Sequence, residues 1–312
     1  MRKIAFIFPG QGAQYVGMGK ELYENFQVCR DVYESANKAL SLDISKMCFE
    51  GTKEEIDKTE NTQPLILTTS IAILRLVKEQ GVCPSVTAGL SLGEYSALVC
   101  SKAIEFSEAV ALVKKRGKFM QEAVPEGIGT MAAVLGLSKE DVIEVCNLAS
   151  DHGVVEAANF NCPGQIVIGG ELAAVNYACE KIKEKGGKTI GLSVSAPFHT
   201  SMLKPASEKL ESELKHINIK DMEIPVIANV TGDYIEDKGE IKELLKKQVM
   251  SSVRWEQCIN KMLEDGIDTF VEIGPGKTLS GFVKKINRTV TVLNIEDMSS
   301  LDKALKVLKD VE

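Results

Sequence analysis

The segment Ser85-Val86-Thr87-Ala88-Gly89-Leu90-Ser91-Leu92-Gly93-Glu94-Tyr95 joins a short apolar run to a helix-like run through a serine with a glycine two residues to either side. Ser85 to Ala88 suits a short buried strand. Tyr95, Leu98 and Val99 then recur at helical spacing, with Glu94 in the first turn. A serine hydroxyl is a poor nucleophile at neutral pH and gains from a sharp strand-to-helix turn, where glycines let the backbone crowd and the hydroxyl face a cleft. The turn also sets the Leu92 amide at a helix N-terminus, where unpaired N–H groups favour a developing oxyanion. G-x-S-x-G also arises by chance in glycine-rich loops, so its flanks carry much of the reading.

Working outward, 312 residues suffice for one elaborated domain or a domain with an insertion. A net charge of -7 argues against nucleic acid or an anionic membrane surface as the main partner. Eight cysteines are scattered without a C-x-x-C pair or a histidine cluster, which predicts free, mostly buried thiols in a reducing compartment. The run Ile4 to Phe8 is too short for a signal peptide or a membrane span, and no other apolar run approaches the required length. The expectation is a cytoplasmic protein.

Residues 3 to 8 read as a buried strand feeding the loop Pro9-Gly10-Gln11-Gly12, with a helix from about Met18. Leu65 to Gln80 is apolar nearly all round, as in a buried helix, with Gly81 just past its end; Glu105 to Ala123 is an amphipathic helix with a basic end. After Pro125-Glu126-Gly127 the rhythm changes. Strands over Thr130–Leu137, Val154–Ala158, Gln165–Ile168 and Lys188–Val194 alternate with helices over Ser138–Ala149 and Glu171–Lys185, the first opened by a Ser138/Asp141 capping box. The order βαββαβ predicts a small antiparallel sheet carrying two helices, inserted over 127–196. Strand-like runs at Ile224–Asn229 and Thr269–Ile273, the latter turning through Gly274-Pro275-Gly276 into a helix, return the chain to longer alternation. The fold class is therefore α/β, with 1–126 and 197–312 forming one large parallel-sheet domain.

A catalytic serine needs a base, and the chain has only His152, His199 and His216. His216 sits at a charged helix end and His152 in a loop. His199, within Ser195-Ala196-Pro197-Phe198-His199-Thr200, lies where the chain re-enters the large domain, which favours it over a capping role. No nearby acid offers itself as a third member; a backbone carbonyl can fix the imidazole instead. Arginine is scarce, six against 31 lysines. Arg116 in Lys114-Lys115-Arg116-Gly117-Lys118 is either part of a solvated basic helix end or a planar fork for a carboxylate.

Taken with Phe8-Pro9-Gly10-Gln11-Gly12-Ala13-Gln14, Asn161-Cys162-Pro163-Gly164-Gln165, Gln248, Val253-Arg254-Trp255 and Glu272-Ile273-Gly274-Pro275-Gly276, these motifs make the chain resemble, in order and over nearly its whole length, the malonyl-CoA:acyl carrier protein transacylase family of acyltransferases from fatty-acid and polyketide synthesis. The resemblance implies an α/β-hydrolase-like large domain with a ferredoxin-like insert, and no metal or redox cofactor. It implies Ser91 as nucleophile, His199 as base and the Gln248 carbonyl as the histidine's support. Gln11 and Leu92 would supply the oxyanion-hole amides, Arg116 would bind the malonyl carboxylate, and Phe198 would fill the space of a branch methyl. The implied substrates are malonyl-CoA and phosphopantetheinylated acyl carrier protein, and a monomer is expected. Fatty-acid synthesis is the expected use, with a freestanding polyketide-synthase acyltransferase as the alternative. One departure stands out: Leu90 precedes the serine where the family commonly has histidine.

Two other readings compete. Water in place of a thiol would turn the same elbow and dyad into an esterase or thioesterase, against which Arg116 and the missing acid argue. Dinucleotide binding at Gly10-Gln11-Gly12 fails on spacing, because the third glycine position of G-x-G-x-x-G is Tyr15.

Overall fold

A computed structural model of the chain describes residues 2–192, 194 and 196–309. Its centre is β1 (Ile4–Phe8), in which Ala5, Phe6, Ile7 and Phe8 are all fully buried. Such a run suits a strand covered on both faces, and β1 is the middle of a five-stranded sheet ordered β7-β2-β1-β8-β9. Its other strands are β2 (Val86–Gly89), β7 (Val226–Ile227), β8 (Thr269–Ile273) and β9 (Thr291–Ile295). Every pairing in it is parallel. The pleat divides the core: Phe6 and Phe8 join the cluster containing Leu65, Ile66 and Val113, while Ala5 and Ile7 join Trp255, Ile259 and Phe282 on the opposite face.

Between β1 and β2 the chain forms α1 (Lys20–Asn25), α2 (Gln27–Leu40), α3 (Ile44–Glu50), α4 (Lys53–Asp57) and α5 (Thr59–Glu79). The fifth is buried on nearly every side, as the apolar run predicts, but it starts six residues before Leu65. Pro64 lies in its second turn and gives up the bond an N–H there would make to the Glu60 carbonyl, yet the helix continues through it and Gln63 is buried. Beyond β2 come α6 (Gly93–Cys100) and α7 (Phe106–Glu122).

The second sheet is built from β3 (Gly129–Leu135), β4 (Val155–Cys162), β5 (Gln165–Glu171) and β6 (Lys188–Gly191), ordered β4-β5-β3-β6 and antiparallel throughout. The helices α8 (Lys139–Ala149) and α9 (Leu172–Glu184) bury Val142, Val145, Val175 and Ile182 against Val134 and Ile168. Alternation turns Met131, Ala133 and Val167 to the other face, into the main core cluster. Ser193 and Ser195, at the end of the predicted last strand and the head of the His199 segment, lie outside the described residues.

Three local expectations change. Ser138 caps α8 by accepting from the Asp141 N–H, yet the Asp141 carboxylate takes the Ser138 hydroxyl instead of its backbone N–H. An aspartate is one methylene too short for the reciprocal bond, which Thr52 and Glu55 do complete at α4. The predicted strand over 224–229 shrinks to two residues, because Asn229 leaves the ladder. Conversely, β4 runs on through Asn159 to Cys162, held by Val253 N–H to Ala158 O (2.9 Å) and Phe160 N–H to Val253 O (2.9 Å). After β6 the remaining helices are α10 (Lys204–Leu214), α11 (Ile241–Gln248), α12 (Trp255–Glu264), α13 (Thr278–Ile286) and α14 (Met298–Lys309). No helix among the described residues is long and apolar enough to cross a membrane.

Candidate functional site

The carboxyl ends of β1, β2 and β8 open onto one cavity of about 300 Å³, closed from above by Met131, Ala133 and Val167 of the small sheet. Such a crevice is where open parallel sheets place ligands. At its floor, β2 ends at Gly89, α6 begins at Gly93, and Ser91 between them has φ +54. The crowding explains both glycines. A Cβ on Gly89 would sit 1.9 Å from the Gly93 carbonyl carbon, and one on Gly93 would sit 2.1 Å from the Phe8 oxygen.

His199, also in the left-handed region at φ +60, brings Nε2 to 2.7 Å from Ser91 Oγ. Its Nδ1 lies 2.8 Å from the Gln248 carbonyl oxygen. A carbonyl only accepts, so Nδ1 carries the proton and Nε2 is left to accept from the serine hydroxyl. Burial, with the Arg116 charge adding to it, lowers the imidazole pKa to about 4. His152 and His216 are exposed and away from the cavity, His152 stacked on Tyr177.

Arg116 is 1% exposed, so the solvated reading of its basic run does not hold for it. The 3.6-residue period of α7 turns Lys115 and Lys118 outward and Arg116 inward with Val113, Gly117 and Met120. Its Nη1 donates to Gln63 Oε1 (2.8 Å), and Nη2 donates to Gln248 Oε1 (3.0 Å) and Ser91 Oγ (3.2 Å). The guanidinium lies 5.3 Å above the Tyr95 ring. A positive charge thus faces the hydroxyl from inside the cavity.

Gln248, the last residue of α11, works from both ends. Beside its carbonyl contact to His199, its Nε2 donates to Ser91 O (3.1 Å) and Glu94 Oε2 (2.9 Å). Glu94 is fully buried beneath the elbow and also accepts from the Asn229 N–H at 2.8 Å. Burial pushes its carboxyl up to about 7 against the pull of those two donors and Arg116. Glu94 does not touch His199, so it is no third triad member; the support at Nδ1 is the Gln248 carbonyl.

Gln11 and Leu92 line the same cavity as Ser91, and no partner among the described residues takes either backbone N–H. Phe198, 6% exposed, is part of the apolar wall. Leu90 is half-buried in the wall beside the serine. Asn159, Asn161 and Gln165 form a polar stretch of the rim. The structure therefore brings Ser91, His199, Arg116, Gln248, Gln11, Leu92 and Phe198 to one place. Gln63, Glu94 and Asn229 escaped the sequence reading. Only Glu94 left a local trace, as an acid in the first turn after the elbow.

The chain matches the model of the acyl transferase domain over residues 5–310. It is 49% identical over 312 residues to a malonyl CoA-acyl carrier protein transacylase of Bacillus subtilis, covering 99% of this chain and 98% of that one. The crystal structure of a malonyl CoA-acyl carrier protein transacylase from Clostridium perfringens superposes with a TM-score of 0.96 at 54% identity, covering 99% and 98% of the two chains. A malonyl-transacylase in complex with its type II PKS acyl-carrier protein superposes with a TM-score of 0.95 at 39% identity, covering 98% and 99%.

Proposed function

From the premise that the chain belongs to the acyl transferase family, we infer that the cavity at Ser91 is where a malonyl group passes from malonyl-CoA to acyl carrier protein. The protein is an acyl-carrier-protein S-malonyltransferase that supplies fatty-acid biosynthesis. The observation that carries the site assignment is the 2.7 Å contact of Ser91 with a neutral His199 beneath a buried Arg116.

In the first half-reaction His199 Nε2 takes the proton of Ser91 Oγ as the oxygen attacks the malonyl thioester carbon. The carbonyl oxygen gains charge within reach of the Gln11 and Leu92 N–H groups, the C–S bond breaks, and CoA leaves with the proton from His199. The second half-reaction reverses these roles: the phosphopantetheine thiol of the carrier gives its proton to His199 and attacks the serine ester. Arg116 pairs with the distal carboxylate throughout, and Phe198 occupies the space that a branch methyl would need. All steps are acyl and proton transfers, so the cycle calls for no metal or redox cofactor.

The finer structural names follow from order and register. The strand order β4-β5-β3-β6, with both helices on one face, supports a ferredoxin-like insert over 127–196. The parallel sheet with a serine on the turn after β2 supports an α/β-hydrolase-like remainder over 1–126 and 197–312. We read the protein as a cytoplasmic monomer that meets its carrier at the mouth of the cavity.

The test is brief incubation with malonyl-CoA, with and without holo acyl carrier protein, followed by intact-mass measurement. A malonyl adduct that resists hydrolysis and discharges onto the carrier when it is added is expected. Steady CoA release without carrier loading would make the protein a thioesterase. The imidazole adds a second expectation. With its pKa near 4, His199 stays neutral and able to accept a proton from pH 8 down to about 5, and loses that capacity only as pH falls through 4. Imidazole NMR resonances, assigned to His199 by their loss in His199→Ala, should hold neutral-ring shifts across that range; titration near 6.5 would contradict the burial argument.

A further inference from the structure

The pairing of β2 with β7 stops two residues before it would reach the nucleophile. Thr87 N–H donates to Pro225 O at 3.0 Å, with Thr87 opposite Val226 and Ala88 opposite Ile227. Continued at the two-residue spacing of a parallel ladder, the next rungs would join Gly89 O to the main-chain N–H of Asn229, and Ser91 N–H to the main-chain oxygen of Asn229. Both main-chain groups are engaged elsewhere. The Asn229 N–H goes to Glu94 Oε2 (2.8 Å), and its oxygen accepts from Arg254 N–H (3.0 Å).

The side chain makes both rungs instead. Asn229 Nδ2 donates to Gly89 O at 2.8 Å, and Oδ1 accepts from Ser91 N–H at 2.6 Å. Asn229 is fully buried, so neither bond is shared with water. We propose that the Asn229 carboxamide is a positioning residue that replaces the missing peptide rungs and holds the elbow at the φ from which Ser91 Oγ faces His199 and the Leu92 N–H faces the cavity.

The chemistry is selective. At this reach a carboxamide offers a donor to Gly89 O and an acceptor to Ser91 N–H together at every pH, whereas a carboxyl does so only when protonated. A non-glycine residue at φ +54 is costly, and such strain persists only where its surroundings over-determine it. Asn229 grips the chain on both sides of Leu90, straddling the strained turn. The inference rests on Ser91 being the acylated residue, and the experiment separates the two.

Wild type, Asn229→Ala and Asn229→Asp are mixed with excess malonyl-CoA in single-turnover experiments, and both the rate and the fraction of protein acylated are read by intact mass. In Asn229→Ala the rate per acylated site should fall on the order of a hundredfold, as expected for a small misplacement of reacting groups, with KM for malonyl-CoA nearly unchanged. Asn229→Asp supplies a signature that a purely structural role would not give. A neutral aspartic acid can donate to Gly89 O and accept from Ser91 N–H, whereas a carboxylate cannot donate. Burial next to Glu94 raises the pKa of such an acid. Glu94 of α6 and Cys258 of α12 face the position directly, and Arg116 of α7 and His199 lie one contact further on, through Ser91 and Gln248; all are present in wild type, which is run at each pH as the reference.

Relative to wild type, Asn229→Asp should recover by at least about tenfold between pH 8 and pH 5. The proposal is overturned if Asn229→Ala acylates at the wild-type rate per site, if its loss is matched by a smaller acylated fraction, or if the Asn229→Asp deficit is independent of pH. Should Asn229→Ala not fold, the pH response of Asn229→Asp decides alone. No adduct on wild-type Ser91 would instead reject the assignment of the nucleophile.

Discussion

Ser91→Ala and His199→Ala are each expected to lower malonyl transfer by on the order of 10⁶-fold, with the double variant no slower than either. The 2.7 Å contact makes the two side chains one device. Without Oγ the imidazole has no proton to take; without the imidazole the hydroxyl keeps its proton at neutral pH. What survives is the contribution of the Gln11 and Leu92 amides and of Arg116, which is common to all three variants. Transfer to holo carrier by quenched flow, with intact mass for the adduct, checks this. A malonyl adduct persisting in Ser91→Ala, or losses that multiply in the double variant, would refute it.

Arg116→Ala should act on choice of substrate. Loss of one partner from a buried, desolvated charge pair costs about 3–5 kcal/mol, so malonyl loading relative to acetyl should drop by roughly two to four orders of magnitude. Acetyl loading needs no counter-charge and should persist. Arg116→Lys should restore little, since an ammonium cannot serve Gln63, Gln248 and a carboxylate in one plane. Competition between equimolar malonyl-CoA and acetyl-CoA, read as the ratio of acyl-enzyme masses, measures the effect. An unchanged ratio would remove Arg116 from carboxylate recognition. Arg116→Ala also strands the side-chain amide oxygens of Gln63 and Gln248 in the interior, so thermal stability should fall by about 1–3 kcal/mol.

What could be read before folding follows the range of the interactions involved. β1, α5 and the elbow announce themselves because burial on both faces, an all-round apolar helix and crowding glycines are local demands. The small sheet is legible as rhythm, since each of its elements needs its own period. Arg116 was ambiguous because a basic run says nothing about which of its members faces inward; the helical phase relative to Val113 and Gly117 decides that. β9 and α14 escape the sequence reading although Val290, Val292, Leu293 and Ile295 give a strand-like run and Leu301, Ala304, Leu305 and Leu308 recur at helical spacing; Thr291 and Asn294 interrupt the first, in keeping with a strand only partly buried along most of its length. Asn229 was illegible for a different reason. Its partners Gly89 and Ser91 lie 140 and 138 residues away, and an asparagine after a short strand looks like any turn residue. Leu90, which prompted attention as a departure from the family pattern, is simply a half-buried part of the cavity wall.

The central place of β1 has a consequence in time. One of its edges is filled by β2, but the other waits for β8, with Ile4 paired to Thr269. At about 5–20 residues per second, a ribosome takes roughly tens of seconds to make the intervening chain. Throughout that interval the nascent protein carries an apolar strand with an unfilled hydrogen-bonding edge, a template for pairing with the wrong neighbour. The elbow is translated well before β8, so the sheet that supports it closes long after the serine itself is made.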